Sequence, residues 1–284
     1  MAPLPPANLP LGERLKMLAQ TLQFGWFLGH FTLILAVFRY FLSYITFNSG
    51  SGMAQASYRF AFVAAAATYG IVVYKGYIAR GKLSGSPPAM VLKLAGDENV
   101  QYLVMALVWL CSRQIPLALL PFTIYSVFHV ATYTRTYLIP TIQPPKPADP
   151  NSSSGRVAPN ALADSIGRFV KMYYDASMGL VASLEMALLF RLIGSALTFS
   201  KASWVLLIVY FSFFRARYAQ STFVQGAVAH ATARVDAAVS HQGTPLPVRQ
   251  GWEAFKGIVR RVYDATDARR YLGRFQQPAG KKPQ

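Results

Sequence analysis

The sequence predicts an all-α integral membrane protein, with about four hydrophobic helical segments followed by a cytosolic amphipathic-helical tail. Three observations lead there. Charged residues make up 14% of the 284 while hydrophobic residues make up 53%, and a soluble domain carries roughly 25% charge. The apolar residues gather into four stretches nearly free of charge, 22–47, 58–79, 99–134 and 176–214. The excess of 28 Lys and Arg over 11 Asp and Glu lies mostly between and after them. A soluble fold would need far more polar covering surface. A disordered chain is excluded by 14% aromatic residues. The single cysteine, Cys111, excludes an intrachain disulfide framework and any multi-cysteine metal site.

Residues 1–21 form an amino-terminal segment expected on the cytosolic side, with Arg14 and Lys16. Three prolines in the first six residues and the lack of a basic lead into a short apolar core argue against a secretory signal. Stretches 22–47 and 58–79 fit one span each, because about 20 apolar residues cross roughly 30 Å of hydrocarbon. Arg39 and Lys75 can snorkel to the headgroups. The third and fourth stretches would run to roughly 55 Å as single helices, at 1.5 Å per residue. Each is broken by polar residues, Ser112, Arg113 and Gln114 before Pro116 in one, and residues 198–202 in the other. Each is therefore expected to be either a single span with an interfacial helix or a short hairpin that returns to its own side. The membrane domain covers 22–214 and includes a Pro/Ser-rich linker, 140–160; the basic tail covers 215–284.

Lys and Arg collect on cytosolic loops. The tip at 48–57 has none, whereas Arg80, Lys82 and Lys93 follow the second stretch and five basic residues lie between 135 and 171. The tail holds twelve. Placing all the basic regions in the cytosol favours the hairpins and puts both termini there. The sequon Asn151-Ser152-Ser153 would then carry no sugar.

Within the tail, 223–239 reads as a weak amphipathic helix, and Pro245 and Pro247 interrupt it. A second helix follows. Trp252, Phe255, Val259 and Val262 make an apolar stripe with Ile258 at its edge, and Arg249, Lys256, Arg260 and Arg261 lie on the flank and far side. Such a helix is expected either to lie in the headgroup plane of a lipid bilayer or to dock on the protein's own cytosolic face. No nucleic-acid module accompanies it, so no nucleic-acid partner is expected.

No catalytic, cofactor or metal site is expected. Residues 76–82 read G-x-x-x-x-G-K, but Leu83 stands where a phosphate loop needs a hydroxyl. The four histidines show no ligand spacing. His129, with Tyr125 and Tyr133 four residues to either side, reads as a hydrogen-bonded packing histidine, and Cys111 as a buried small residue. Glu185 and Arg191 are intramembrane ionisable residues and hence candidate functional positions. Six residues apart on a helix, they point about 240° from each other and cannot pair; Arg39 and Arg113 are candidate partners. A transporter would need an internal repeat, and none is apparent.

Several blocks resemble the transmembrane protein 33 / pore-membrane-protein 33 family, also called the Krüppel homolog 2 family. They are LAQTLQFGWFLGHFTLILAVFRYFLSYI at 18–45, ATYGIVVYKGY at 67–77, DENVQYLVMALVWL at 97–110 and LALLPFTIYSVFHVATYTRTYLIPTIQP at 117–144. MYYDASMGLVASLEMALLFRLI at 172–193 and FRARYAQSTFVQ at 214–225 are also similar to family segments. Fungal members look closest. The resemblance implies a non-enzymatic, multi-pass protein of the endoplasmic reticulum and nuclear envelope that supports membrane shaping and nuclear pore complex organisation or biogenesis. It implies nucleoporins, reticulon-type membrane-shaping proteins and a karyopherin binding the basic tail as partners. An alternative is a regulator or component of an ion-conducting or stress-signalling membrane complex. Two one-leaflet hairpins plus a cytosolic amphipathic helix would act together as a curvature wedge.

Overall fold

A computed structural model describes residues 3–81, 87–144 and 160–266. The Asn151 sequon, Lys82, and the basic residues from Arg269 onward lie outside them. The described residues are helical and contain no strand. The chain divides into two compact units, Met1–Ala227 and Val228–Gln284.

The first unit is a helical membrane bundle. A short docking helix, α1 (Leu11–Ala19), leads into α2 (Leu22–Ile45), α3 (Gly52–Val73) and a small α4 (Pro87–Ala95). Then come α5 (Glu98–Cys111), α6 (Leu119–Tyr133), a single turn α7 (Ile139–Ile142), α8 (Ala161–Leu197) and α9 (Ser203–Gln220). Single π-type turns at Tyr74–Ile78 and Thr134–Leu138 extend α3 and join α6 to α7. Among the described residues, four continuous helical segments are long and apolar enough to cross a membrane: Leu22–Ile45, Gly52–Ile78, Pro116–Ile142 and Ala161–Leu197.

Starts are capped by side chains that satisfy the otherwise orphaned first-turn amides. The Thr21 hydroxyl accepts from Phe24 N at 3.1 Å. Asp97 accepts from Asn99 N at 2.8 Å. Asn160 accepts from Leu162 N at 3.1 Å.

The polar breaks read from the sequence are where the chain turns, so the third and fourth stretches are both helical hairpins. Their lengths differ from the expectation. The arms recruit charged flanks beyond the apolar stretches, to Glu98 and Ile142 in one hairpin and to Ala161 and Gln220 in the other. Tertiary packing of these flanks gives Pro116–Ile142 about 40 Å of helix. The arms Pro116–Ile142 and Ala161–Leu197 are long enough to cross, whereas Glu98–Cys111, at 14 residues and about 21 Å, is a shorter apolar helix.

Cross-helix contacts set all three hairpin tips at one end. Arg59, near the start of α3, donates to the carbonyl of Trp109 at 3.2 Å and to that of Leu110, near the end of α5. Tyr58 Oη accepts from Ile115 N at 3.0 Å. Trp109 packs on Tyr210 of α9 with ring centroids 5.7 Å apart. At the opposite end Arg14 of α1 donates to the Thr141 carbonyl at 2.6 Å, and Gln220 donates to the Gly96 carbonyl at 3.1 Å.

The core is aromatic and small-residue packed. Tyr58, Phe62, Tyr102 and Phe122 are almost wholly buried. The α2–α3 seam is lined on α3 by Ala61, Ala64 and Ala65. Gly29 is required there, since a Cβ on it would lie 2.5 Å from Thr68 Cγ2. Small residues allow such backbone approach where lipid supplies no hydrophobic drive between helices.

A short internal repeat emerges at two tips, where the sequence had shown none. Phe38-Arg39-x3-Ser43-x2-Thr46-Phe47-Asn48 ends α2, and Phe190-Arg191-x3-Ser195-x2-Thr198-Phe199-Ser200 ends α8. Both close with the same hydrogen bonds: Asn48 N to the Ser43 carbonyl at 2.8 Å, and Ser200 N to the Ser195 carbonyl at 3.1 Å. Phe47 and Phe199 hold the left-handed positions at φ 55° and 52°. This is the Schellman closure, which glycine ordinarily serves.

The second unit pairs the last three turns of α10 (Thr222–Val239) with α11 (Leu246–Ala265). Pro247 sits in the first turn of α11, where its missing N–H costs nothing.

Candidate functional site

Among the described residues, two places gather ionisable side chains. The first is inside the bundle. Glu185 projects from the middle of α8 and is 1% exposed. Its partner is Arg217 of α9, which is 4% exposed. Arg217 Nε donates to Glu185 Oε2 at 3.4 Å. The Tyr102 hydroxyl donates to the same carboxylate, and the Tyr210 hydroxyl donates to the Glu185 main-chain carbonyl at 2.9 Å. Arg217 also reaches Glu98 Oε1 at 2.7 Å and Tyr125 Oη at 3.2 Å. Its guanidinium lies over the Tyr102 ring, 5.3 Å from the centroid.

One arginine thus ties together α5, α6, α8 and α9. Desolvating such a pair costs several kcal/mol per ion, so satisfied geometry is what makes it tolerable. A largely apolar cavity of about 270 Å³ adjoins the cluster, walled by Tyr102, Phe128, Val170 and Met178 with Glu98 and His129 among them.

Arg217 is the residue sequence reasoning missed, because it follows the last apolar stretch and was grouped with the basic tail. Neither Arg39 nor Arg113 meets Glu185. Arg39 binds Ser43 Oγ at 2.6 Å, and Arg113 is exposed. Arg191 lies on the outside of the bundle and donates to Ser195 Oγ at 3.4 Å. His129 packs through rings, 4.8 Å from Trp26 and 4.6 Å from His30. The pairing of these two histidines joins α2 to α6. His30 Nδ1 lies 2.9 Å from Ser126 Oγ. Cys111 is exposed, contrary to the buried role expected for it. Among the described residues, no group of three or more His, Cys, Asp and Glu could hold a metal ion.

The second place is the α10–α11 pair. Trp252 Nε1 donates to Asp236 Oδ1 at 2.6 Å, and Lys256 Nζ donates to the same oxygen at 2.9 Å. Lys256 also meets Glu253 at 2.8 Å. The hydrogen bond from Trp252, and then that from Lys256, holds the Asp236 carboxyl below its ordinary value. Glu253, and then Asp236, holds the Lys256 ammonium above its own. Arg249 Nη2 donates to the His241 carbonyl at 2.8 Å, clasping the turn between the helices.

Of the predicted interface residues, Trp252, Arg249 and Lys256 are therefore used to pair α11 with α10. Phe255, Ile258, Val259 and Val262 remain exposed in one stripe, at 50%, 58%, 49% and 39%. Arg260 and Arg261 are exposed beside and behind them.

Long apolar helices joined as hairpins around a buried, fully partnered ion pair define an integral membrane protein of the all-α class. Residues 13–264 match the family described as Transmembrane protein 33/Nucleoporin POM33, and the chain belongs to that family. It is 52% identical to Nucleoporin POM33 of Chaetomium thermophilum, over 95% of this chain and 96% of the relative. It is 32% identical to Tetra-spanning protein 1 of Schizosaccharomyces pombe, over 88% and 87%. It is 28% identical to the Pore membrane protein of 33 kDa of Saccharomyces cerevisiae, over 88% of each. No solved structure matches the chain.

Proposed function

We propose that this chain is a non-enzymatic protein of the endoplasmic reticulum and nuclear envelope that supports the organisation or biogenesis of nuclear pore complexes. One observation carries the proposal: near full-length similarity to relatives named for the nuclear pore, at 52% identity in one case. Its bundle fits a multi-pass anchor. With the three tips in the lumen, the amino terminus, the 80–97 loop, the linker and the basic tail all meet the cytosol, as the Lys and Arg distribution asks.

The exposed stripe of α11 is suited to lie in the cytosolic headgroup plane, and area added to one leaflet favours curved bilayer. That supports a share in membrane shaping at the pore rim. The basic tail also offers contacts to nucleoporins, reticulon-type proteins and a karyopherin. The ion-conducting alternative is not favoured, because Glu185 is 1% exposed and its carboxylate is taken up by Tyr102 and Arg217.

The test uses fluorescently tagged full-length protein in fungal cells, with pore density counted on the nuclear surface. Rim localisation, and pore clustering or loss on deletion, is the expected result. Uniform reticular distribution with unchanged pores on deletion would overturn it. Glycosylation mapping at Asn151 checks the topology separately: a sugar there would place the linker in the lumen.

A further inference from the structure

We infer that the repeated tip element binds lipid phosphate, so that the chain holds two equivalent sites for anionic phospholipid in the leaflet that the tips reach. The inference rests on the long helices lying in lipid and is independent of any role at pores.

The side-chain direction is the first ground. Helical side chains lean towards the helix amino terminus. Arg39 runs the other way and bonds Ser43 Oγ, one turn nearer the tip. Arg191 does the same to Ser195 Oγ. In both copies the arginine is exposed and the serine buried. The serine is thus a fixed post that aims the guanidinium towards the membrane surface. Eight residues separate each arginine from its tip phenylalanine, about 12 Å along the axis. A side chain extended one turn tipwards sits in the lower headgroup region, where lipid phosphates lie. A guanidinium has five N–H donors. The serine takes one, and the rest suit the two free oxygens of a phosphodiester.

The phenylalanines are the second ground. A left-handed non-glycine residue costs roughly 1–2 kcal/mol. Phe47 is 98% exposed and Phe199 is 82% exposed, so neither recovers that cost by packing within the protein. The same strained, solvent-facing ring at both copies fits an interfacial anchor, which holds the arginine at a set depth.

The charge around the tips selects the lipid. Residues 46–51, 112–118 and 198–202 contain no Asp or Glu, and they carry Arg113 and Lys201. No carboxylate there would pair with the ammonium of a zwitterionic headgroup. Phosphatidic acid and phosphatidylglycerol, which lack an ammonium, are therefore preferred over phosphatidylcholine.

Full-length protein in nanodiscs of phosphatidylcholine with a minor share of phosphatidic acid, released into native mass spectrometry, provides the test. Wild type should retain two phosphatidic acid molecules per chain more than the double variant Arg39→Gln, Arg191→Gln. Each single variant should lose one, and Phe47→Ser should weaken retention at its own copy. Incorporation into the discs and unchanged helical circular dichroism show that the variants are folded and membrane-inserted. Failure to insert would sink the membrane placement itself. Equal phosphatidic acid retention by wild type and the inserted double variant would overturn the sites alone, as would wild type holding phosphatidylcholine equally well.

Discussion

Arg217 Nη1 of α9 lies 2.7 Å from Glu98 Oε1 at the start of α5, while its Nε reaches Glu185 in the middle of α8. The buried carboxylate therefore depends on a cation 32 residues away in sequence, across the tip of a hairpin.

Removing one partner should be worse than removing both. Arg217→Met leaves the Glu185 carboxylate buried without its cation and should destabilise the bundle by about 3–5 kcal/mol. Adding Glu185→Leu should restore most of that loss. Chemical denaturation in detergent, followed by circular dichroism, reads both. A double variant no more stable than Arg217→Met would contradict the pairing.

The α2–α3 seam predicts a rescue. Gly29→Ala drives its new Cβ into Thr68 Cγ2 and should cost about 1–3 kcal/mol, as overpacking does. Thr68→Ser removes that methyl and keeps the hydroxyl, which bonds the Ala65 carbonyl at 2.8 Å. Thermal midpoints in detergent should fall for Gly29→Ala and recover in the pair.

Relief of backbone strain should stabilise the tips in detergent. Phe47→Gly or Phe199→Gly frees a positive φ and should raise stability by about 1 kcal/mol. A lower thermal midpoint for either would show that the ring packs within the protein after all.

Acid should loosen the α10–α11 pair. The folded Asp236 carboxyl is held low, so its contribution is present above the unfolded value of about 4 and is lost as pH falls through the folded one. In 5-fluorotryptophan-labelled protein, the Trp252 resonance should shift below about pH 4 and be insensitive to pH between 5 and 8. Asp236→Asn should show the low-pH position throughout.

The exposed stripe of α11 predicts vesicle binding. Phe255→Glu with Ile258→Glu removes two anchors that are worth roughly 1.5–3 kcal/mol each when buried. Adsorption of the tail, fused to a soluble carrier, to anionic vesicles should drop at least about tenfold. Trp252 is a poorer position for this test, because its indole is committed to Asp236. Unchanged adsorption would remove the stripe from the account of membrane shaping.

Periodicity and charge spacing are local signals, and what depended on them was legible. The four apolar stretches, the polar breaks before Pro116 and at 198–202, and the apolar stripe of α11 were all visible in the residues themselves. The partner of Glu185 was not, since helix registers across a bundle leave no mark on spacing. The tip repeat lay open in the letters, but its spacing had no meaning until both phenylalanines were found at positive φ.

By itself, then, the sequence determined that this is a helical membrane chain, where it turns, and which of its surfaces carry charge, because hydrocarbon demands continuous apolar helix. Only the tertiary structure decided that Arg217 is a core residue, that Trp252 faces Asp236, and that the flanks lengthen both later hairpins. Those outcomes turn on which side chains meet between helices, where burial makes each ion seek a partner and packing sets where a helix ends.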